Sequence, residues 1–276
     1  MENLSSLGPR TVLTSDYSTL SIEQRDKHVR LITLQRPEVL NALNTQMMHE
    51  LHDVFTQLYV DQGNARVLIL TGSGERAFCS GGDLKERQGM SDAQWRKQHA
   101  LLEQMVRAAM LCPVPMIAAV NGDCFGGGLE IALTCDFCYA SSNARFGFPE
   151  GRVGIMPGAA GTQNIVRACG VRRAKEIVLT GLPISAEEAL AWRVANKIVP
   201  QDELLETSLQ TAVKMCEIAP VSAMQIKKSL DVATHSDFMT GYAFEIEAYN
   251  RTIPMKDRVE GINAFNEKRK PDFKGE

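Results

Sequence analysis

Three short segments combine glycine with acidic or hydroxyl side chains: Ala77-Phe78-Cys79-Ser80-Gly81-Gly82-Asp83-Leu84, Asn121 to Glu130 with Gly126-Gly127-Gly128, and Phe146-Gly147-Phe148-Pro149-Glu150. Glycine reaches positive φ and lets a ligand approach bare backbone amides. The second segment opens directly into Leu129-Glu130-Ile131-Ala132-Leu133, which reads as a short helix. The first amides of such a helix have no partner within it and point at whatever lies above them. Glu130 and Glu150 each follow one of these turns within apolar sequence, where solvation is incomplete and carboxyl pKa values move. A carboxyl pair beside free amide donors can do general acid/base chemistry next to an anion hole. The plain structural readings of the same residues are glycine for tight packing and a glutamate complementing a helix start. A phosphate cradle would show G-x-x-x-x-G-K-[ST], or G-x-G-x-x-G in a βαβ frame, and neither occurs.

These segments must be held by regular elements, and the hydrophobic periodicity supplies them. Thr19 to Arg25 and His28 to Leu34 alternate around Asp26 and Lys27, as a hairpin does. After Pro37, the apolar residues Leu43, Met47, Met48, Leu51, Val54, Phe55 and Leu58 recur at helical spacing, a stripe that needs a sheet to cover. Val67 to Leu70 is a continuous apolar run, as in a strand buried on both faces. Ser91 caps a helix carrying Trp95, Leu102, Met105, Val106 and Ala109, and Met116 to Val120 is another buried strand. Ser185 and Glu188 form a capping box, after which nearly everything reads helical. The class is therefore α/β, with a loose segment over residues 1–18, a core over 19–200 and a helical region over 201–276.

Composition limits the functions these elements can serve. The chain has 276 residues, 44% hydrophobic and 23% charged, with 30 basic against 33 acidic side chains and a net charge of -3, values of a globular protein able to bury its own core. No apolar stretch reaches the length of a membrane span, and the opening residues lack the apolar segment of a secretory signal, so a cytoplasmic location without membrane contact is expected. The near-balanced charge is not that of a nucleic-acid binder. Seven scattered cysteines make no disulfide framework, and Cys135 and Cys138 have no second pair at zinc spacing, so buried thiols and no metal are expected. The five histidines are dispersed, with His49 and His52 able to share a helix face in a solvated or capping role.

Gly126-Gly127-Gly128-Leu129-Glu130-Ile131-Ala132-Leu133-Thr134-Cys135-Asp136, then Phe146 to Glu150, then Pro157-Gly158-Ala159-Ala160-Gly161-Thr162-Gln163, resemble the signature of the crotonase (enoyl-CoA hydratase/isomerase) superfamily. Arg36-Pro37 with Asn41-Ala42-Leu43, the Ala77 to Glu86 loop and Glu267-Lys268-Arg269-Lys270 extend the resemblance over roughly residues 20 to 276. It implies a crotonase-like spiral of ββα units with a C-terminal helical trimerisation region, assembled as a homotrimer or homohexamer. It also implies an oxyanion hole from the amides of Gly82 and Gly127, with Glu130 and Glu150 as the catalytic pair of a hydratase acting on an acyl-CoA thioester. Coenzyme A is then part of the substrate and no separate cofactor is needed. By the same resemblance Glu38, Leu40, Ser80, Asp83 and Leu84 line the coenzyme path, while Phe265 and Lys268 reach a neighbouring subunit's ligand. A solvated basic tail is the other reading of Lys268, and core packing is the other reading of Phe148.

Three alternatives accompany this reading. Double-bond isomerisation needs only a proton shuttle. Asp83-Leu84-Lys85-Glu86-Arg87 and the tail from Thr252 to Glu276 look similar to methylglutaconyl-CoA hydratases of leucine breakdown. RNA binding, known in that group through a lysine-rich helix, is opposed here because residues 41–65 contain no Lys or Arg to neutralise phosphates.

Overall fold

The computed structural model describes residues 16–276, so most of the segment expected to be loose lies outside the described residues. Tyr17 and Ser18, at its end, are held: the Tyr17 hydroxyl donates to Asp53 and the Ser18 amide to Glu50. The expected hairpin forms as β1 (Leu20–Asp26) and β2 (Val29–Leu34), paired antiparallel. Helix α1 (Thr45–Val60) follows, its start capped by the Asn44 side chain, which accepts from the Met47 amide at 2.9 Å. Met47, Met48, Leu51, Val54, Phe55 and Leu58 face the core from it. Leu43, expected on the same stripe, precedes the helix and bridges to Gly82 instead, because Asn44 as the cap fixes the boundary.

From β3 (Val67–Gly72) onward one unit recurs three times. β3 is followed by β4 (Ala77–Cys79), the one-turn helix α2 (Leu84–Arg87) and α3 (Asp92–Met110). β5 (Met116–Val120) is followed by β6 (Asp123–Phe125) and α4 (Gly127–Ala132), and β7 (Phe137–Ser141) by β8 (Arg145–Gly147) and α5 (Gly161–Cys169). In each unit the first strand joins a six-stranded sheet and the second joins a four-stranded one, so the chain winds as the expected spiral of ββα units. Helix α6 (Val171–Thr180), β9 (Ile184–Ser185), α7 (Ala186–Ala191) and β10 (Lys197–Val199) complete the spiral. β10 interrupts the stretch expected to be helical: its three residues are too few to show a period, yet they pair parallel with β7. Helices α8 (Leu204–Met215), α9 (Pro220–Ala233), α10 (Phe238–Asn250) and α11 (Lys256–Glu267) end the chain.

The large sheet is buried on both faces, which explains its unalternating strands. Leu68 and Leu70 of β3 point into the core shared with α1 and α3, whereas Val67 and Ile69 pack with Leu204 and Ala212 of α8. In the small sheet β4, β6 and β8 run parallel as neighbours, so their C-terminal ends lie along one edge. All three glycine-rich segments leave from those ends. Gly128 lets α4 sit directly against β4, since a Cβ there would lie 2.2 Å from the Cys79 carbonyl oxygen. None of the helices among the described residues is long and apolar enough to cross a membrane.

Candidate active site

The three segments surround a cavity of about 690 Å³. Ser80, Gly81 and Gly82 come from the turn after β4, Gly126, Gly127 and Glu130 from the start of α4, and Pro149 and Glu150 from the turn after β8. The neighbouring amides are locked. Leu43 donates to the Gly81 carbonyl at 2.8 Å and accepts from the Asp83 amide at 2.9 Å, so Gly82 is held between two tethered residues. Asp83 then caps α2 through the Lys85 and Glu86 amides and pairs with Arg36 at 2.9 Å. The amides of Gly82 and Gly127 have no acceptor among the described residues. They lie close together, for a Cβ on Gly127 would stand 3.8 Å from the Gly82 nitrogen. At Gly126 the chain turns with φ +52°, a conformation costly for other residues, and this turn starts α4 at the cavity wall.

The two glutamates differ in how they are held. Glu130 is 2% exposed, and its Oε1 accepts from the Ala159 amide at 2.7 Å and the Gly161 amide at 3.0 Å. Burial raises its pKa, while those two amides and the charges of His99 and Arg87 work in the opposite direction. Glu150 has a buried Oε2 with no hydrogen-bond partner among the described residues. Burial pushes its pKa up to about 7, against the effect of its own amide and with a further rise from the charge on Glu130. One carboxyl is anchored by two amides of another segment and the other meets only its own, so near neutrality Glu130 favours the ionised form relative to Glu150. A pair split in this way can take a proton at one place and give one at another.

Helix α3 supplies the opposite wall with Trp95, Arg96, His99 and Leu102, and Arg87 ends α2 beside it. The charge on the cavity wall is therefore mixed only by the two glutamates, since Arg87, Arg96 and His99 are the other titratable groups there.

A family model described as enoyl-CoA hydratase/isomerase matches residues 24–276. The chain belongs to the enoyl-CoA hydratase/isomerase family. It is 39% identical over 249 residues to a short-chain-enoyl-CoA hydratase of Clostridium acetobutylicum, covering 90% of this chain and 95% of that one. It is 36% identical to the human enoyl-CoA hydratase domain-containing protein 2, mitochondrial, over 95% of this chain and 90% of that one. The solved structure of an enoyl-CoA hydratase from Bacillus anthracis superposes with a TM-score of 0.91 at 40% identity, covering 94% of this chain and all of that one. The spiral is thus the crotonase fold of this family.

Within this enoyl-CoA hydratase/isomerase fold, Glu130, Glu150, Gly82, Gly127, Ser80 and Leu84 meet at the one cavity. Glu38, Leu40 and Asp83 are not part of its wall. Leu40 lies beside it, its carbonyl accepting from the Ser80 amide at 3.0 Å, and Asp83 acts from behind as the cap of α2. Phe265, 84% exposed, lines a separate hollow between α9 and α11, and Lys268 is exposed just beyond α11. Phe148 is fully buried and packs beneath Gly161, so it belongs to the core behind Glu130. The seven cysteines carry no disulfide, and burial pushes the Cys79 and Cys138 thiols up to about 12. Sequence reasoning missed Arg87 and His99 as wall residues. Trp95, His99 and Leu102 stand at i, i+4 and i+7, a shared helix face that would have shown His99 to point with the apolar stripe.

Proposed function

We propose that the protein hydrates a 2-enoyl-CoA thioester. The observation that carries this reading is that two differently held carboxyl groups and two unpartnered amides line a single cavity. Oxygen addition at the β-carbon moves negative charge onto the thioester oxygen, which the Gly82 and Gly127 amides receive. Such donors contribute roughly 3 kcal/mol each to the transition state. Ionised Glu130 takes a proton from water as its oxygen bonds to the β-carbon. Protonated Glu150 delivers its proton to the α-carbon as the enolate collapses. The reverse reaction exchanges the two roles. The thioester carries coenzyme A, and the scheme calls on no separate cofactor.

The same family also contains isomerases, and retention of both glutamates favours hydration here. Incubation with a 2-enoyl-CoA separates the two reactions by product mass: both remove the conjugated thioester absorbance, and only hydration adds the mass of water. Loss of the chromophore with no change in mass, the result of double-bond migration, would refute hydration, as would persistence of the unreacted 2-enoyl thioester.

We also propose that α9, α10 and α11 build a homotrimer, or a hexamer of two trimers. Leu230, Phe238, Met239, Tyr242, Ile246 and Tyr249 expose apolar surface on α9 and α10 that a lone chain leaves in water. Light scattering that gave a monomer at micromolar concentration would overturn this assembly.

A further inference from the structure

The turn that anchors Glu130 is strained and is held at both ends. Its amides at Ala159 and Gly161 donate to Glu130 Oε1 at 2.7 and 3.0 Å, and the residue between them, Ala160, has φ +67°, in the left-handed region. A residue with a side chain stays in that conformation only where its surroundings over-determine it. At one end lies the fully buried Phe148, whose Cε1 would stand 2.9 Å from a Cβ on Gly161. At the other lies His99 of α3. A Cβ on Gly158 would stand 2.5 Å from the His99 Cε1 and 3.1 Å from its Nε2, and the atoms nearest to it all belong to this ring. Gly158 has no positive φ, so glycine is there to admit the imidazole and not to permit a turn.

The imidazole is itself placed by its helix. Trp95 and Leu102 share its face of α3, and its Nε2 stands 3.4 Å from the Glu103 Oε1 one turn on. The other charged groups of the cavity wall are Arg87, Arg96, Glu130 and Glu150. If the ring left Gly158, the strained turn could relax and its two amides retreat from Oε1. Glu130 would then sit less well over water and, with fewer donors, hold a proton more tightly. The Gly82 and Gly127 amides come from other segments and would keep the thioester where it was.

We infer that His99 is a positioning residue for the proposed hydration: its ring fills the space that Gly158 leaves and clamps the turn whose two amides hold Glu130. This rests on the reading of Glu130 as the base toward water. A helix that contributes no reacting group thereby sets the geometry of one that does.

Two arms test the clamp. His99 is partly exposed on α3 and alanine suits a helix, so His99→Ala folds. With 2-butenoyl-CoA as substrate, His99→Ala and Gly158→Ala should each lower kcat by about tenfold or more while KM stays within about threefold, as a displaced base requires. Adding Gly158→Ala to His99→Ala should cost nothing further, because the new methyl group then meets no ring. A Gly158→Ala penalty that is the same with and without His99 overturns the inference. The second arm needs no turnover. In pH-difference infrared spectra the carboxyl band that Glu130→Gln removes marks Glu130, and this carboxyl should titrate at higher pH in both His99→Ala and Gly158→Ala than in the wild type. An unchanged titration in His99→Ala overturns the clamp whether or not Gly158→Ala folds. A shift in His99→Ala that a folded Gly158→Ala does not share is an effect of the ring's charge, and it overturns the clamp as well. A wild-type protein that hydrates no 2-enoyl-CoA removes the hydratase assignment, and the infrared arm alone then decides the clamp.

Discussion

Glu50 and Glu150 are the same side chain in two enclosed settings, and the structure moves their pKa values in opposite directions. Glu50, on α1, is 5% exposed and receives the Ser18 and Thr19 amides, both of their hydroxyls and the Gln46 side chain. Burial alone would raise its pKa, but the donors outweigh it and hold the carboxyl at about 2. Glu150 loses water without gaining such donors, keeps Oε2 unpartnered, and rises to about 7. The difference teaches that burial fixes no charge state by itself: the number of donors supplied afterwards does. Glu50 spends its charge holding residues 18 and 19 onto α1, and Glu150 keeps a transferable proton.

The largest effect that sharpens this contrast is on turnover. Glu130→Gln and Glu150→Gln are each expected to lower hydration by orders of magnitude with ligand affinity largely kept, whereas Glu50→Gln should leave turnover near normal in the protein that remains folded. Near-normal turnover in either cavity variant would break the paired-carboxyl mechanism. Next comes pH. In the proposed mechanism Glu150 acts protonated, so kcat/KM should fall as pH rises through about 7, by roughly tenfold per unit beyond it. A flat profile between pH 6 and 9 would mean that Glu150 is not the proton donor.

Stability supplies the smaller effects. Glu50→Gln should cost roughly 2 kcal/mol in urea unfolding at neutral pH, since charge-assisted hydrogen bonds are weakened together. The folded pKa of Glu50 is depressed, so its contribution is present above its unfolded value and disappears as pH falls from there toward 2. The gap between wild type and Glu50→Gln should close on acidification. Glu150 has the opposite sign: its folded pKa is raised, so the wild type loses stability as pH rises from the ordinary glutamate range to about 7. Glu150→Gln should therefore be slightly the more stable protein above pH 7. Melting curves that ran parallel at every pH would contradict both signs.

Much of the frame was legible before any coordinates. Continuous apolar runs marked β3 and β5, the stripe from Leu43 to Leu58 marked α1 with only Leu43 outside it, and the Ser91 cap and the Ser185 capping box marked helix starts to the residue. Short elements escaped because they have no period to detect. β10 has three residues and holds its place by pairing with β7, not by its own pattern. In the candidate site, glycine clustering and two glutamates in apolar sequence marked the three segments that meet at the cavity. Arg87 was not found, because a basic residue near a helix end reads as solvated until the facing element is known, and His99 was passed over although it shares a face of α3 with Trp95 and Leu102.

The sequence by itself determined which local conformations are possible and which groups are available: glycine at the turns, strands buried on both faces, and two carboxyls placed after tight bends. Tertiary structure alone decided that the turns after β4, β6 and β8 share one edge, because only parallel pairing of strands far apart in the chain brings those ends together. It also decided the charge of each glutamate. That depends on donors such as Ala159, Gly161, Ser18 and Thr19, which lie about thirty residues away in sequence and reach the carboxyls only once the chain is folded.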